Sequence, residues 1–188
     1  MKFTALFPFV AAGLVGFAAH ANPVELTFSG AALPNSPHGQ TILEIGEALA
    51  NDPDSNVRLN VHLGGTLYSQ DQQDGALRRG LIDMSYTGFQ WIGDRVPRYS
   101  MFASGYFFRD EAHMSAVLDG PIGQEIYDEV AEELGIRVLA AFYFGQRTLN
   151  YRDVGYPILT PDDMADVNLR MPNSEAWMQL GRALGAQP

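Results

Sequence analysis

Residues 24–63 read VELTFSGAALPNSPHGQTILEIGEALANDPDSNVRLNVHL, which is the pattern of a strand, a helix and a second strand in succession. Apolar and polar residues alternate over residues 24–28 and again over residues 57–63, as in a strand with one buried face. Between them, residues 39–50 carry the single apolar stripe of a helix. Because two strands joined by one helix pair in parallel, this stretch predicts a parallel sheet.

The rest of the chain continues the alternation of strand and helix. We predict helices over residues 71–79, 110–118 and 122–134, a helix start at residues 160–163, and a last helix carrying Trp177, Leu180 and Leu184. We predict strands over residues 81–86, 102–108, 136–144 and 167–170, of which the run IRVLAAFYF at residues 136–144 is the most strand-like. The chain is therefore predicted to be an α/β protein with a mostly parallel sheet and helices on both faces.

The first 21 residues have the form of a secretory signal peptide. Lys2 supplies the positive charge, residues 3–18 are uncharged and apolar, and Ala19-His20-Ala21 has the small residues of a cleavage site. The apolar run is shorter than the ~20 residues that a membrane span needs, and no later segment is a better candidate. We therefore expect export to the periplasm, with cleavage between Ala21 and Asn22.

Composition excludes several classes of function. The chain has 22 acidic and 12 basic residues, a formal net charge of −10, so a nucleic acid is a poor partner. It has no cysteine, which excludes a disulfide framework. The four histidines lack the spacing of metal ligands, and no nucleophile elbow, zinc helix, phosphate loop or dinucleotide motif occurs. We expect neither an enzyme nor a cofactor.

Two arginines stand in unusual surroundings. Arg147 lies in FGQRTLN, residues 144–150, directly after an apolar run, and Arg170 lies in NLRMPN, residues 168–173. The planar fork of a guanidinium fits a carboxylate with two hydrogen bonds, so both are candidates for capturing a small organic acid. The alternative for Arg170 is an ordinary ion pair with Asp166 or Glu175.

Short motifs along the chain together resemble a known family, the DctP-type solute-binding proteins of tripartite ATP-independent periplasmic (TRAP) transporters. No single motif is specific, but their order and spacing are, and the resemblance extends from about Val24 to the last residue. The motifs are LGGTL at 63–67, GLIDM at 80–84, FFRD at 107–110, VLDGPIG at 117–123, GIRVL at 135–139, TPDDM at 160–164, LRMP at 169–172 and ALGAQP at 183–188.

The resemblance implies a periplasmic binding protein-like fold. Two α/β lobes joined by crossing strands would close on an organic acid, a sugar acid or a dicarboxylate, which is then delivered to a sodium-driven membrane permease. It places the first lobe at residues 22–144 and the start of the second lobe at residues 145–188. Since members of the family are usually much longer, the chain resembles their N-terminal part, with the second lobe incomplete.

The resemblance also assigns binding residues. Arg170 stands in the motif that carries the family's principal carboxylate-binding arginine, and Arg147 matches a second arginine that follows the crossing strand. Asn150 lies close enough in sequence to donate to a ligand hydroxyl. Gln70 and Trp91 stand where relatives with sugar-acid ligands often carry charged groups, so that Gln70 could bond a hydroxyl and Trp91 could stack on a ring. A surface amide and a packed indole are the alternatives for these two.

Three functions therefore remain open. We favour a binding protein for a carboxylated small molecule. The second is a non-transporting fragment or a partner that reports the ligand to a receptor, and the third, a periplasmic hydrolase, is disfavoured because no catalytic constellation occurs in the sequence.

Overall fold

The computed structural model describes residues 22–188, and the predicted signal peptide lies outside the described residues. The strands are β1 (Val24–Ser29), β2 (Val57–His62) and β3 (Met84–Ser85). The α-helices are α1 (Pro37–Asn51), α2 (Gln70–Arg78), α3 (Phe89–Gly93), α4 (Glu111–Leu118), α5 (Pro121–Leu134) and α6 (Glu175–Ala183), and two 3-10 helices span Pro97–Ala103 and Pro161–Met164. Within residues 22–188, none of the helices has both the length and the apolar character that crossing a bilayer requires.

The sheet is parallel, as the sequence predicts. Its order is β2-β1-β3, with β1 paired to β2 from Val24 opposite Val57 to Ser29 opposite His62. On its other edge β1 pairs with β3 only at Phe28 and Ser29. The α/β class and the strand–helix–strand unit of residues 24–63 are therefore confirmed.

Local signals position the helices. The Ser36 hydroxyl accepts a hydrogen bond from the backbone N–H of Gly39 at 3.2 Å, and Pro37 occupies the first position of α1. In the same way the Asp110 carboxylate accepts from the backbone N–H of His113 at 2.7 Å and begins α4. Gly135 ends α5 with a φ of 67°, a left-handed conformation that glycine adopts without strain.

The largest core packs α4 and α5 against the segment around the first 3-10 helix. Aromatic and aliphatic side chains share it, and Val130 is fully buried there. Its buried members are Ile92, Val96, Tyr99, Leu118, Ile126, Tyr127 and Val130. A smaller core of Met164, Val167 and Ala186 holds the C-terminal part together.

Two of the predicted strands are absent from the described residues, and two others are shorter than predicted. Residues 102–108 form the end of a 3-10 helix and the turns after it. They form no strand because Phe102, Phe107 and Phe108 pack their rings on one another instead of alternating between two faces. The predicted strand at residues 167–170 is reduced to one bridge between Asn168 and Gln187. Of residues 81–86, only Met84–Ser85 form a strand.

The most strand-like run of the sequence, residues 136–144, is the other prediction that is wrong. It lies outside the sheet, and within residues 22–188 no backbone–backbone hydrogen bond reaches residues 136–158. Its apolar pattern serves packing, since Val138 and Ala141 lie against the larger core and the ring of Phe142 lies 6.0 Å from that of Tyr86. A strand requires backbone hydrogen bonds to a neighbouring strand, and residues 136–144 form none with the edge strands β2 and β3.

Candidate functional site

Arg147 lies over an aromatic ring of a different segment. Its guanidinium carbon is 4.6 Å from the ring centroid of Trp177 in α6 and 6.0 Å from that of Phe144. A guanidinium within ~6 Å of an aromatic ring is attracted by the negative face of that ring. The contact therefore fixes Arg147, which lies in a segment without regular secondary structure, against the last helix.

The two candidate arginines lie close enough for the charge of one to act on the other. The pKa of Arg147 lies below its ordinary value, first because burial removes water from the guanidinium and second because the positive charge of Arg170 is close. A lowered pKa in a base means that the charged form is less favoured at this place than in water. Arg147 thus occupies a position that a nearby negative charge would stabilise.

Neither arginine has an acidic partner within residues 22–188. The two alternatives considered for Arg170 are not realised in that part of the chain, because Asp166 forms no ion pair there and Glu175 pairs with Arg182 at 3.4 Å. Arg170 is exposed, and its role in binding stays a prediction. Two neighbouring cations without a carboxylate make this place a candidate anion site.

The backbone that carries Arg170 is held by the end of the chain. The N–H of Leu169 donates to the carbonyl of Gln187 at 2.8 Å, and the N–H of Gln187 donates to the carbonyl of Val167 at 3.0 Å. These bonds lie beside the small core around Val167. Arg170 therefore extends from a fixed point rather than from a free loop.

The other candidate residues are more scattered. Trp91 is 9 % exposed in α3, a helix that contacts α6, and its indole nitrogen is a buried donor without a partner within residues 22–188. Gln70 is exposed and is the first residue of α2. Asn150 is also exposed. The side-chain amides of Gln70 and Asn150 make no hydrogen bond in the described part of the chain. Among residues 22–188, no hydrogen bond joins Gln70 or Asn150 to the arginines, and their roles stay predictions.

The sequence analysis did not identify a polar cluster that lies at the carboxyl ends of β1 and β3. Gln73, fully buried in α2, donates from its amide to the carbonyl of Tyr68 at 3.2 Å. The Ser85 hydroxyl lies 2.9 Å from Gln73 Oε1 and 2.7 Å from the Ser29 carbonyl oxygen, and it can donate to one of them at a time. In open α/β sheets, the carboxyl ends of the strands are where ligands bind.

Two cavities in the described residues lie apart from the arginines. One, of about 250 Å³, is apolar and lies among Phe102, Phe107, Phe108 and Val117. The other, of about 380 Å³, is more polar and lies beside Asp119 and Arg137. Neither cavity is lined by any of the five candidate residues.

Trp177 contacts Arg147, and the sequence analysis did not identify it as a site residue. Trp177 was assigned to the apolar face of the last helix, which is where an indole with this spacing is normally found. Nothing in the local sequence of α6 signals a contact with a residue thirty positions earlier. Only the tertiary structure shows it.

The fold is that of a class of extracytoplasmic binding proteins. A solved TRAP periplasmic solute-binding protein from Roseobacter denitrificans, with bound 3-deoxy-D-manno-oct-2-ulosonic acid, matches with a TM-score of 0.81 and 32 % identity over 88 % of this chain and 54 % of that one. The model of the DctP family, bacterial extracellular solute-binding protein family 7, matches residues 28–188. The chain therefore belongs to this family, whose members are binding proteins rather than enzymes.

Two curated relatives are similar to the chain. The C4-dicarboxylate-binding periplasmic protein DctP of Rhodobacter capsulatus is 26 % identical over 89 % of this chain and 50 % of its own length. The 2,3-diketo-L-gulonate-binding periplasmic protein YiaO of Escherichia coli is 27 % identical over 70 % of this chain and 39 % of its own length. The chain spans about half the length of such relatives.

Proposed function

We propose that this protein captures a small organic acid in the periplasm and delivers it to the membrane permease of a TRAP uptake system. The acid is a sugar acid or a dicarboxylate, the classes named for its relatives. Its carboxylate pairs with Arg170 and Arg147. The leader at residues 1–21 directs export and is cleaved after Ala21.

The observation that carries the proposal is the pairing of two like charges without an acidic partner in the described residues. Bringing Arg170 near a partly buried Arg147 disfavours the charged form of Arg147. A carboxylate between the two guanidiniums removes that cost and forms charge-assisted hydrogen bonds, each worth about 1.5–3 kcal/mol. Membership of a binding-protein family supports the same conclusion independently.

The mechanism needs residues of both proposed lobes. Residues 22–144, the first lobe, carry Trp91 and Gln70 near the carboxyl side of the sheet, and residues 145–188 carry both arginines and Asn150. Closure of one lobe on the other excludes water from the bound carboxylate, and a lower local dielectric strengthens the ion pairs. The arginines act as the charge receptor, while Trp91, Gln70 and Asn150 contact the rest of the acid.

The test is binding of organic acids to the purified chain. Thermal-shift screening with 3-deoxy-D-manno-oct-2-ulosonic acid, D-glucuronate, succinate and 2,3-diketo-L-gulonate should raise the Tm with at least one acid, since a ligand stabilises the state that binds it. Arg170→Ala or Arg147→Ala should weaken the affinity about 10-fold to 100-fold, the equivalent of one lost charge-assisted bond. Isothermal titration calorimetry measures this change.

Arg152→Ala is the matched control. Arg152 is an exposed arginine five residues after Arg147, and its removal changes the net charge by the same amount. Its affinity should stay within about twofold of the wild type, because screened charges at a distance contribute little. Equal losses in all three variants would contradict a specific clamp, and no binding of any acid would contradict the proposed function.

A further inference from the structure

Trp177 makes a contact whose geometry bears directly on the proposed site. The guanidinium of Arg147 lies 4.6 Å from its ring centroid, well within the range of a cation–π interaction. The rest of Arg147 lies in a segment with no backbone–backbone hydrogen bond within residues 22–188. The indole is therefore the closest support that this guanidinium has among the described residues.

The indole nitrogen of Trp177 contributes nothing to that support. It is a buried donor without a hydrogen-bond partner within residues 22–188, as is the hydroxyl of Ser174, which is 3 % exposed at the start of α6. Trp177 thus acts through the face of its ring and through packing. This separates two properties of the side chain, since phenylalanine keeps an aromatic face and loses only an unused N–H.

We propose that Trp177 is a positioning residue for Arg147: the ring holds the guanidinium in the place where it receives the ligand carboxylate. This inference rests on the proposed function, and it adds a residue to the site that acts on the ligand through Arg147. The acid then binds an arginine already oriented by its neighbour.

A double-mutant cycle tests the inference. Wild type, Trp177→Leu, Arg147→Ala and the double variant are titrated with 3-deoxy-D-manno-oct-2-ulosonic acid and, in parallel, with succinate. Trp177→Leu should weaken binding about tenfold in the wild type and less than about twofold in the Arg147→Ala background, because residues in one interaction are not additive. Additive losses would overturn the inference while leaving the arginine site in place.

Two further variants separate positioning from folding. Trp177→Phe should retain affinity within about threefold, because it keeps the aromatic face. Leu180→Ala, on the same helix, loosens the packing of α6 on Gly105 without touching Arg147, and should leave affinity within about twofold. If Leu180→Ala weakens binding as much as Trp177→Leu does, Trp177 has only a structural role and the inference fails.

Fluorescence tests the contact without any ligand. The chain has two tryptophans, so Trp91→Phe leaves Trp177 as the sole indole emitter. In that background, Arg147→Ala should change the emission intensity or maximum of Trp177, whereas Arg152→Ala should not. An unchanged spectrum overturns the inference alone, while failure of both acids to bind the wild type overturns the proposed function and this inference together.

Discussion

The carboxylate of Asp163 organises the start of the second 3-10 helix. Asp163 accepts hydrogen bonds from the backbone N–H groups of Leu159 and Thr160 at 3.0 and 2.8 Å and from the Thr160 hydroxyl at 2.9 Å. These bonds favour its charged form and hold its pKa below the ordinary 3.8. The capping arrangement that the sequence indicated at residues 160–163 is thus present, although it begins a 3-10 helix of four residues.

The sign of the resulting pH dependence follows from that lowered pKa. The unfolded chain binds a proton at Asp163 more readily than the folded chain, so the contribution to stability is present above pH 3.8 and is lost as the pH falls through the folded-state pKa. Asp163→Ala should lower the Tm at pH 7, and its difference from wild type should shrink on acidification. Asp162→Ala, which removes an adjacent exposed acid without these bonds, is the control. Equal effects of both variants at every pH would contradict the assignment.

Arg147 illustrates the limit of residue-level prediction. Its sequence context identified it as a candidate, and its role in binding stays a prediction. The contact with Trp177 was not predictable, because a cation–π pair between residues 147 and 177 leaves no periodic or compositional trace. Gln70 and Asn150 show the converse: their residue types suit a ligand hydroxyl, yet in this structure they are exposed amides without a partner among the described residues.

At the scale of the element, α1 contains two glycines in contrasting surroundings. A Cβ atom at Gly39, in the first turn, would lie 2.1 Å from the carbonyl oxygen of Leu33, closer than atoms can approach. At Gly46, later in the same helix, the nearest atom is Val61 Cγ2 at 3.7 Å, an ordinary contact. The loop before α1 therefore needs a glycine at position 39, and the sheet packing does not need one at position 46.

Alanine at these two positions should change stability in opposite directions. Gly39→Ala forces the loop away from the helix and should lower the free energy of unfolding by about 1–3 kcal/mol, the usual cost of overpacking. Gly46→Ala should raise it by up to about 1 kcal/mol, because alanine loses less backbone entropy in a helix. Urea unfolding followed by circular dichroism measures both. A stable Gly39→Ala variant would mean that the loop does not pack against α1 as described.

The elements predicted well are those whose signals are local. The helices α1, α2, α4 and α5 have signals within their own sequences, such as the caps Ser36, Ser69 and Asp110 and the terminator Gly135. Each helix lies within a few residues of its predicted bounds. Strands depend on partners far along the chain, and here the sequence misleads. Residues 136–144 have the composition of a strand but pair with no strand among residues 22–188. The short helix α3 was missed because it has too few residues to show a helical period.

At the scale of the whole molecule, protection from solvent is uneven. The cluster around Val130 is well buried, whereas the segment at residues 136–158 combines unpaired backbone with exposed apolar side chains, such as Leu139 at 75 % exposure. A segment whose backbone groups are exposed and unpaired unfolds locally at almost no cost in free energy. Core elements unfold only near global unfolding. The segment carrying Arg147 should therefore be among the least protected parts of the described chain.

Hydrogen exchange measured by mass spectrometry tests this gradient within one molecule. Amides of residues 138–150 should exchange at close to their unstructured rates, while those of α5, directly before them, should be slowed by its helical hydrogen bonds. A bound acid should slow exchange around Arg147 and leave α5 unchanged. The ion pair between the acid and Arg147 holds the guanidinium against Trp177, and this contact ties the segment to α6. Slow exchange across residues 138–150 in the free protein would contradict the unpaired state of this segment. It would also mean that the arginine is positioned by backbone pairing, and that the indole of Trp177 has little left to orient.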